Sequence, residues 1–116
     1  MFDVGRAEFE ELVSEALDGL PAEIARLMDN VAIFVEDMSA SGWSLLGLYE
    51  GVPLTERHAS TYVMAMPDRI TIYRLPTLRI CANADEVRRQ VQITVVHEIA
   101  HHFGIDDARL HDLGYA

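Results

Sequence analysis

The chain is poor in cysteine and in positive charge. Cys81 is the single cysteine among 116 residues. One cysteine allows no intrachain disulfide, so nothing points to an oxidising compartment. Cys81 itself reads as a small core hydrophobe rather than a nucleophile. Lysine and arginine together number 9 against 19 aspartates and glutamates, giving a formal charge of -10 at pH 7. The pI is near 4.7. That balance excludes the basic footprint that nucleic acids and anionic membrane surfaces require. It favours neutral or basic partners. No run is apolar for long enough to span a bilayer. The opening residues, Met1-Phe2-Asp3-Val4-Gly5-Arg6, lack a basic segment followed by an apolar one. No signal peptide is therefore expected, and the expected location is the cytoplasm. Repeats, low-complexity tracts and linkers are also missing, so residues 1–116 should form one domain.

What is present is enough for a core, since 50% of the residues are hydrophobic. Phe9, Leu12, Val13, Ala16 and Leu17 recur at helical spacing, with Glu8, Glu10, Glu11 and Glu15 opposite them. This predicts an amphipathic helix over 6–17. Asp18-Gly19-Leu20-Pro21 ends it, and Pro21 opens a second helix reaching Asp29. Val31 to Val35 is short, apolar and rich in β-branched residues, as a buried strand is. Further strands are expected over 45–49, 61–66 and 70–73, with 53–60 irregular. Pro76 breaks the last strand and starts a helical turn reaching Cys81. Asp85 to Phe103 contains no glycine or proline. Asn83 with Glu86 resembles a capping box, and Gly104 is a natural stop. The order of elements predicts an α+β domain, with helices packed on a small mixed sheet and one long helix near the end.

That helix carries the chemistry. His97-Glu98-Ile99-Ala100-His101 is an HExxH motif. Four residues are a little more than one helical turn, so both imidazoles share one face. Two such nitrogens can fill two tetrahedral corners of a Zn²⁺ ion. Glu98 lies about 100° further round the helix. It flanks the metal and can act as general base towards a water whose pKa the metal lowers to roughly 7. On a helical wheel Val91, Val95, Ile99 and Phe103 form one stripe, widened by Ile93, Val96 and Ala100. Gln90, Thr94, His97, Glu98 and His101 share the remaining sector. A polar stripe on a buried helix needs partners, and a metal supplies one. One zinc per chain is the expected cofactor.

A catalytic zinc takes three protein ligands and keeps one position open. No glutamate follows Glu98, so the third ligand is sought among Asp106, Asp107, His111 and Asp112. Residues 97–107 spell HExxHxxGxxD. Gly104 lets the chain turn sharply after the helix, which favours Asp107, then Asp106, then His111. His102 points away from His101 and suits the rim of the site. His58, in an irregular segment, reads as a surface residue. Tyr115 could donate to an oxyanion, although packing is the simpler role at that position.

The segment VVHEIAHHFGIDDARLHDLGYA resembles the zincin-like metallopeptidase family of small bacterial acidic proteins. So do LLGLYEGVPLTER, from Leu45 to Arg57, and Met66-Pro67-Asp68-Arg69-Ile70. The resemblance implies a minimal zincin fold with metal at His97 and His101. It further implies Glu98 as the catalytic glutamate and Asp107 as third ligand, with a peptide or protein as substrate. Larger metzincins share HExxHxxG, but here no methionine follows Met66. Their methionine turn and C-terminal subdomain are therefore not expected here. A zincin-fold module that binds metal for regulation or interaction, with little peptidase activity, is the alternative. A hydrolase of non-peptide amides is a third. The sequence leaves oligomeric state open.

Overall fold

A computed structural model describes residues 2–51 and 66–115. The expected strand over 61–66 and the irregular stretch 53–60 lie outside these residues, apart from Met66, which is not in a strand. Helix α1 runs Arg6–Asp18 and buries Phe9, Leu12, Val13 and Ala16, the apolar positions read from the spacing. Helix α2 covers Ala22–Leu27, with Pro21 as its N-cap rather than its first residue. Proline suits that place because it has no N–H to leave unpaired.

Three strands follow: β1 (Val31–Glu36), β2 (Gly47–Glu50) and β3 (Asp68–Tyr73). Their order in the sheet is β1-β3-β2. β1 runs parallel to β3, and β2 antiparallel to it, so the sheet is mixed. The central position of β3 explains its composition. Ile70, Thr71, Ile72 and Tyr73 are all buried, and a strand covered on both faces does not alternate. Burial lifts the Tyr73 hydroxyl above the ordinary tyrosine range, with help from Glu50 and Glu36.

Helix α3 (Arg74–Arg79) starts two residues before Pro76. Proline in a first helical turn breaks no intrahelical hydrogen bond. Helix α4 (Ala84–Phe103) has both predicted ends. Asn83 Oδ1 accepts from the Glu86 amide at 2.9 Å, and Glu86 Oε1 accepts from the Ala82 amide at 2.9 Å. Gly104 closes the helix at φ 70°, a conformation that costs glycine nothing extra. Asp106 then caps a short helix α5 (Asp107–Asp112), its Oδ1 accepting from the Arg109 amide at 2.8 Å.

The core lies between α1, the sheet and α4. Phe9, Ile70, Ile72, Val87, Val91, Val95, Val96 and Ile99 are fully buried within it. α4 approaches the edge strand β2 very closely at Gly47. A Cβ there would lie 2.5 Å from Thr94 Cγ2 and 3.2 Å from the Thr71 carbonyl oxygen. The missing side chain of Gly47 thus sets the distance between the motif helix and the sheet edge. It also accounts for Thr94, which sits on the polar sector of the wheel and is nevertheless buried. Phe103 departs from the apolar stripe in the opposite sense. It is 43% exposed, where α4 has run past the core, and meets Tyr49 and His102 edge-on.

Candidate metal centre

His97 and His101 stand one turn apart on α4, and both are exposed to solvent. Glu98 is half-buried beside them. The polar stripe therefore opens outwards from a helix whose Val95, Val96, Ile99 and Ala100 are buried. His97 and Glu98 line a groove of about 200 Å³ together with Leu46, Gly47, Gln90, Ile93 and Thr94. This groove runs between α4 and the edge of β2 that has no partner strand among the described residues. A larger cavity of about 380 Å³ lies between α1 and β1, among residues such as Arg6, Val13 and Phe34. Among the described residues that line it there is no histidine, and the ionisable groups are Arg6, Glu10 and Glu36.

His97 has a partner that the sequence did not announce. Its Nε2–H donates to the Tyr115 carbonyl oxygen at 2.7 Å. The residues delivering that carbonyl are well fastened. The Tyr115 amide donates to the Leu110 carbonyl at 2.8 Å. Arg89 donates to the Gly114 carbonyl at 2.7 Å and lies 4.5 Å from the Tyr115 ring centre. The Tyr115 side chain is buried, and its hydroxyl faces Gln92 Oε1 at 3.4 Å. The phenol thus points along α4 towards Gln92 and serves packing, while the backbone of Tyr115 meets the motif.

Of the candidate third ligands, Asp107 is the exposed first residue of α5, and Asp106 is engaged as its cap. His111 and Asp112 are exposed further along the same helix. Arg109 ties α5 to α2 through Glu23, with Nε 3.1 and 3.0 Å from the two carboxylate oxygens. The hydrogen bonds from Arg109 hold the Glu23 carboxyl below its ordinary range. Among the described residues, no three His, Cys, Asp or Glu side chains are grouped closely enough to hold a metal ion. His97 and His101 stand together on α4, and no third such side chain joins them among the described residues.

His102 leaves the motif face. Its ring stacks on Tyr49 of β2, with centroids 3.9 Å apart at 19°. Asp68 Oδ2 accepts from the Tyr49 hydroxyl at 2.7 Å and lies 3.9 Å from His102 Nε2. His58 and Arg57 lie outside the described residues. Arg69 rests over Phe34 and lies 3.9 Å from Glu50, on the sheet and away from the groove.

A family model described as zincin-like metallopeptidase matches residues 28–115. The chain belongs to that family. Among solved structures, a conserved hypothetical protein (TTHA0227) from Thermus thermophilus has the same fold. The TM-score is 0.55 at 22% identity, over 86% of this chain and 94% of that one. No match to a curated protein was found. The zincin-like family implies a metal, and the donor chemistry on α4 fits zinc. Two exposed imidazoles a turn apart are donors of the kind such an ion takes, two of the three protein ligands a catalytic zinc has. No described helix is long and apolar enough to cross a membrane.

Proposed function

We propose that this chain is a zinc-dependent metallopeptidase with a minimal zincin fold. His97, His101 and Asp107 would hold the ion, and Glu98 would act as general base. The observation that carries this reading is the groove between α4 and the β2 edge, onto which His97 and Glu98 both open. Zinc, when bound, supplies a Lewis acid and lowers the pKa of water. The remaining chemistry belongs to the chain. An extended peptide can lie along the edge of β2, which has no partner strand among the described residues, and pair its backbone with it. Glu98 then takes a proton from the attacking water and returns it to the leaving nitrogen. Glu98 is half-buried in a groove that Ile93 and Leu46 also line, which limits competing solvent around the carboxylate. The cytoplasm is the proposed location and a peptide or protein the proposed substrate.

The decisive variant is Glu98→Gln, which keeps the size of the side chain and removes the base. It should bind zinc as the wild type does and lose about 10²-fold or more of peptide hydrolysis. A generic peptide library read by mass spectrometry reports the loss. Equal turnover by both proteins would remove Glu98 from the mechanism.

One observation favours a second reading. The outer nitrogen of His97 already holds a carbonyl, and no third ligand is gathered beside it among the described residues. A module that binds metal weakly, for regulation or interaction, would show this arrangement. Zinc binding with silence from wild type and Glu98→Gln alike would favour it.

A further inference from the structure

The residues around His97 Nε2 carry an inference that rests on the reading of His97 and His101 as ligands. We propose that Arg89 is a positioning residue of the metal centre. It holds the Tyr115 carbonyl on His97 Nε2, so that docking of residues 113–115 and binding of the metal exclude each other.

The argument begins at the imidazole. Two histidines four apart on a helix bring their tips together, and the tip is Nε2, whereas Nδ1 lies close to its own backbone. A shared ion is therefore reached through Nε2. In His97 that atom carries a proton and gives it to the Tyr115 carbonyl at 2.7 Å. A nitrogen with a proton has no lone pair for a metal. Ligation requires this hydrogen bond to break, the proton to shift to Nδ1, and the carbonyl to withdraw.

What resists withdrawal is Arg89, two turns earlier on the same helix. Its guanidinium donates to the Gly114 carbonyl at 2.7 Å and covers the Tyr115 ring at 4.5 Å. The bond from the Tyr115 amide to Leu110 and the buried Tyr115 side chain complete the hold. Gly114 makes the approach possible with φ 87°, a region costly for other residues. Linkage is reciprocal, so whatever strengthens the docked segment weakens the metal by the same factor.

The test titrates zinc into the full chain against a competing chelator. Arg89→Ala should tighten zinc binding about tenfold, since a hydrogen bond and a cation–π contact of ~1.4 kcal/mol together correspond to that factor. Tyr115→Ala should shift the dissociation constant in the same direction. Arg89→Lys, which still donates to Gly114, should return it towards the wild-type value. In the wild type, added zinc should speed hydrogen exchange at the Tyr115 amide. This second readout decides the matter even where a variant folds poorly.

An unchanged dissociation constant in Arg89→Ala overturns the proposal. So does weaker binding, which would mean that the carbonyl supports His97 as an outer partner with the metal on Nδ1. Slower exchange at Tyr115 with zinc overturns it too. Wild-type protein that takes up no zinc overturns both this inference and the metal reading. Uptake that needs His97 but ignores Arg89→Ala overturns this inference alone.

Discussion

At the scale of single residues, position in the fold decides which reactive groups are available. Cys81 is buried, and burial raises its thiol above the ordinary range, Glu86 adding a smaller push. The thiolate is the reactive form, so the folded chain should resist alkylation at neutral pH. Iodoacetamide followed by intact mass should leave Cys81 unmodified until denaturant is added. Rapid labelling of the native protein would contradict the packing described. Gly47 makes the opposite point, because there the absence of a side chain is what matters. Gly47→Val would drive a branched side chain into Thr94 and the Thr71 carbonyl. Overpacking of this kind costs about 1–3 kcal/mol. A urea melt should show the midpoint falling accordingly, and an unshifted midpoint would mean that α4 and β2 are less closely set. The motif residues were legible one by one because their spacing is local. The bond from His97 to Tyr115 was not, because it joins residues 18 apart through a turn that no local pattern announces.

At the scale of elements, caps and periodicity were the reliable signals. The apolar spacing of α1 and the Asn83 and Gly104 boundaries of α4 reflect rules that act within one turn, and the structure has them where the sequence suggested. α3 begins earlier than expected because proline is tolerated in a first turn. α5 carries no periodic signal in the sequence, being six residues long with a single buried side chain, Leu110. Its cue is Asp106, a candidate metal ligand by sequence that acts here as an N-cap. That helix matters for the site. It carries Asp107 immediately after the Gly104 turn, and the Glu23–Arg109 pair anchors it to α2. Phe103, at the exposed end of α4, departs from the apolar stripe of the wheel for a tertiary reason. A helical wheel gives the direction of a side chain but not how far the core extends beneath it.

At the scale of the whole molecule, the α+β class, with helices packed on a small sheet, follows from the succession of elements. The pairing does not. The parallel partnership of β1 with β3, leaving β2 at the edge, depends on long-range contacts that strand propensity does not encode. That topology places the motif helix beside the start of β2, and the two line the groove next to Glu98. Family membership over residues 28–115 and the shared fold of the Thermus thermophilus protein agree with this arrangement. The central claim is that α4 carries a zinc centre built on His97 and His101. Elemental analysis of the folded chain after zinc loading and dialysis tests it most directly. The account predicts about one zinc per chain in the wild type and none above background in His97→Ala. A folded wild type that retains no zinc, or a His97→Ala variant that retains as much, would contradict it.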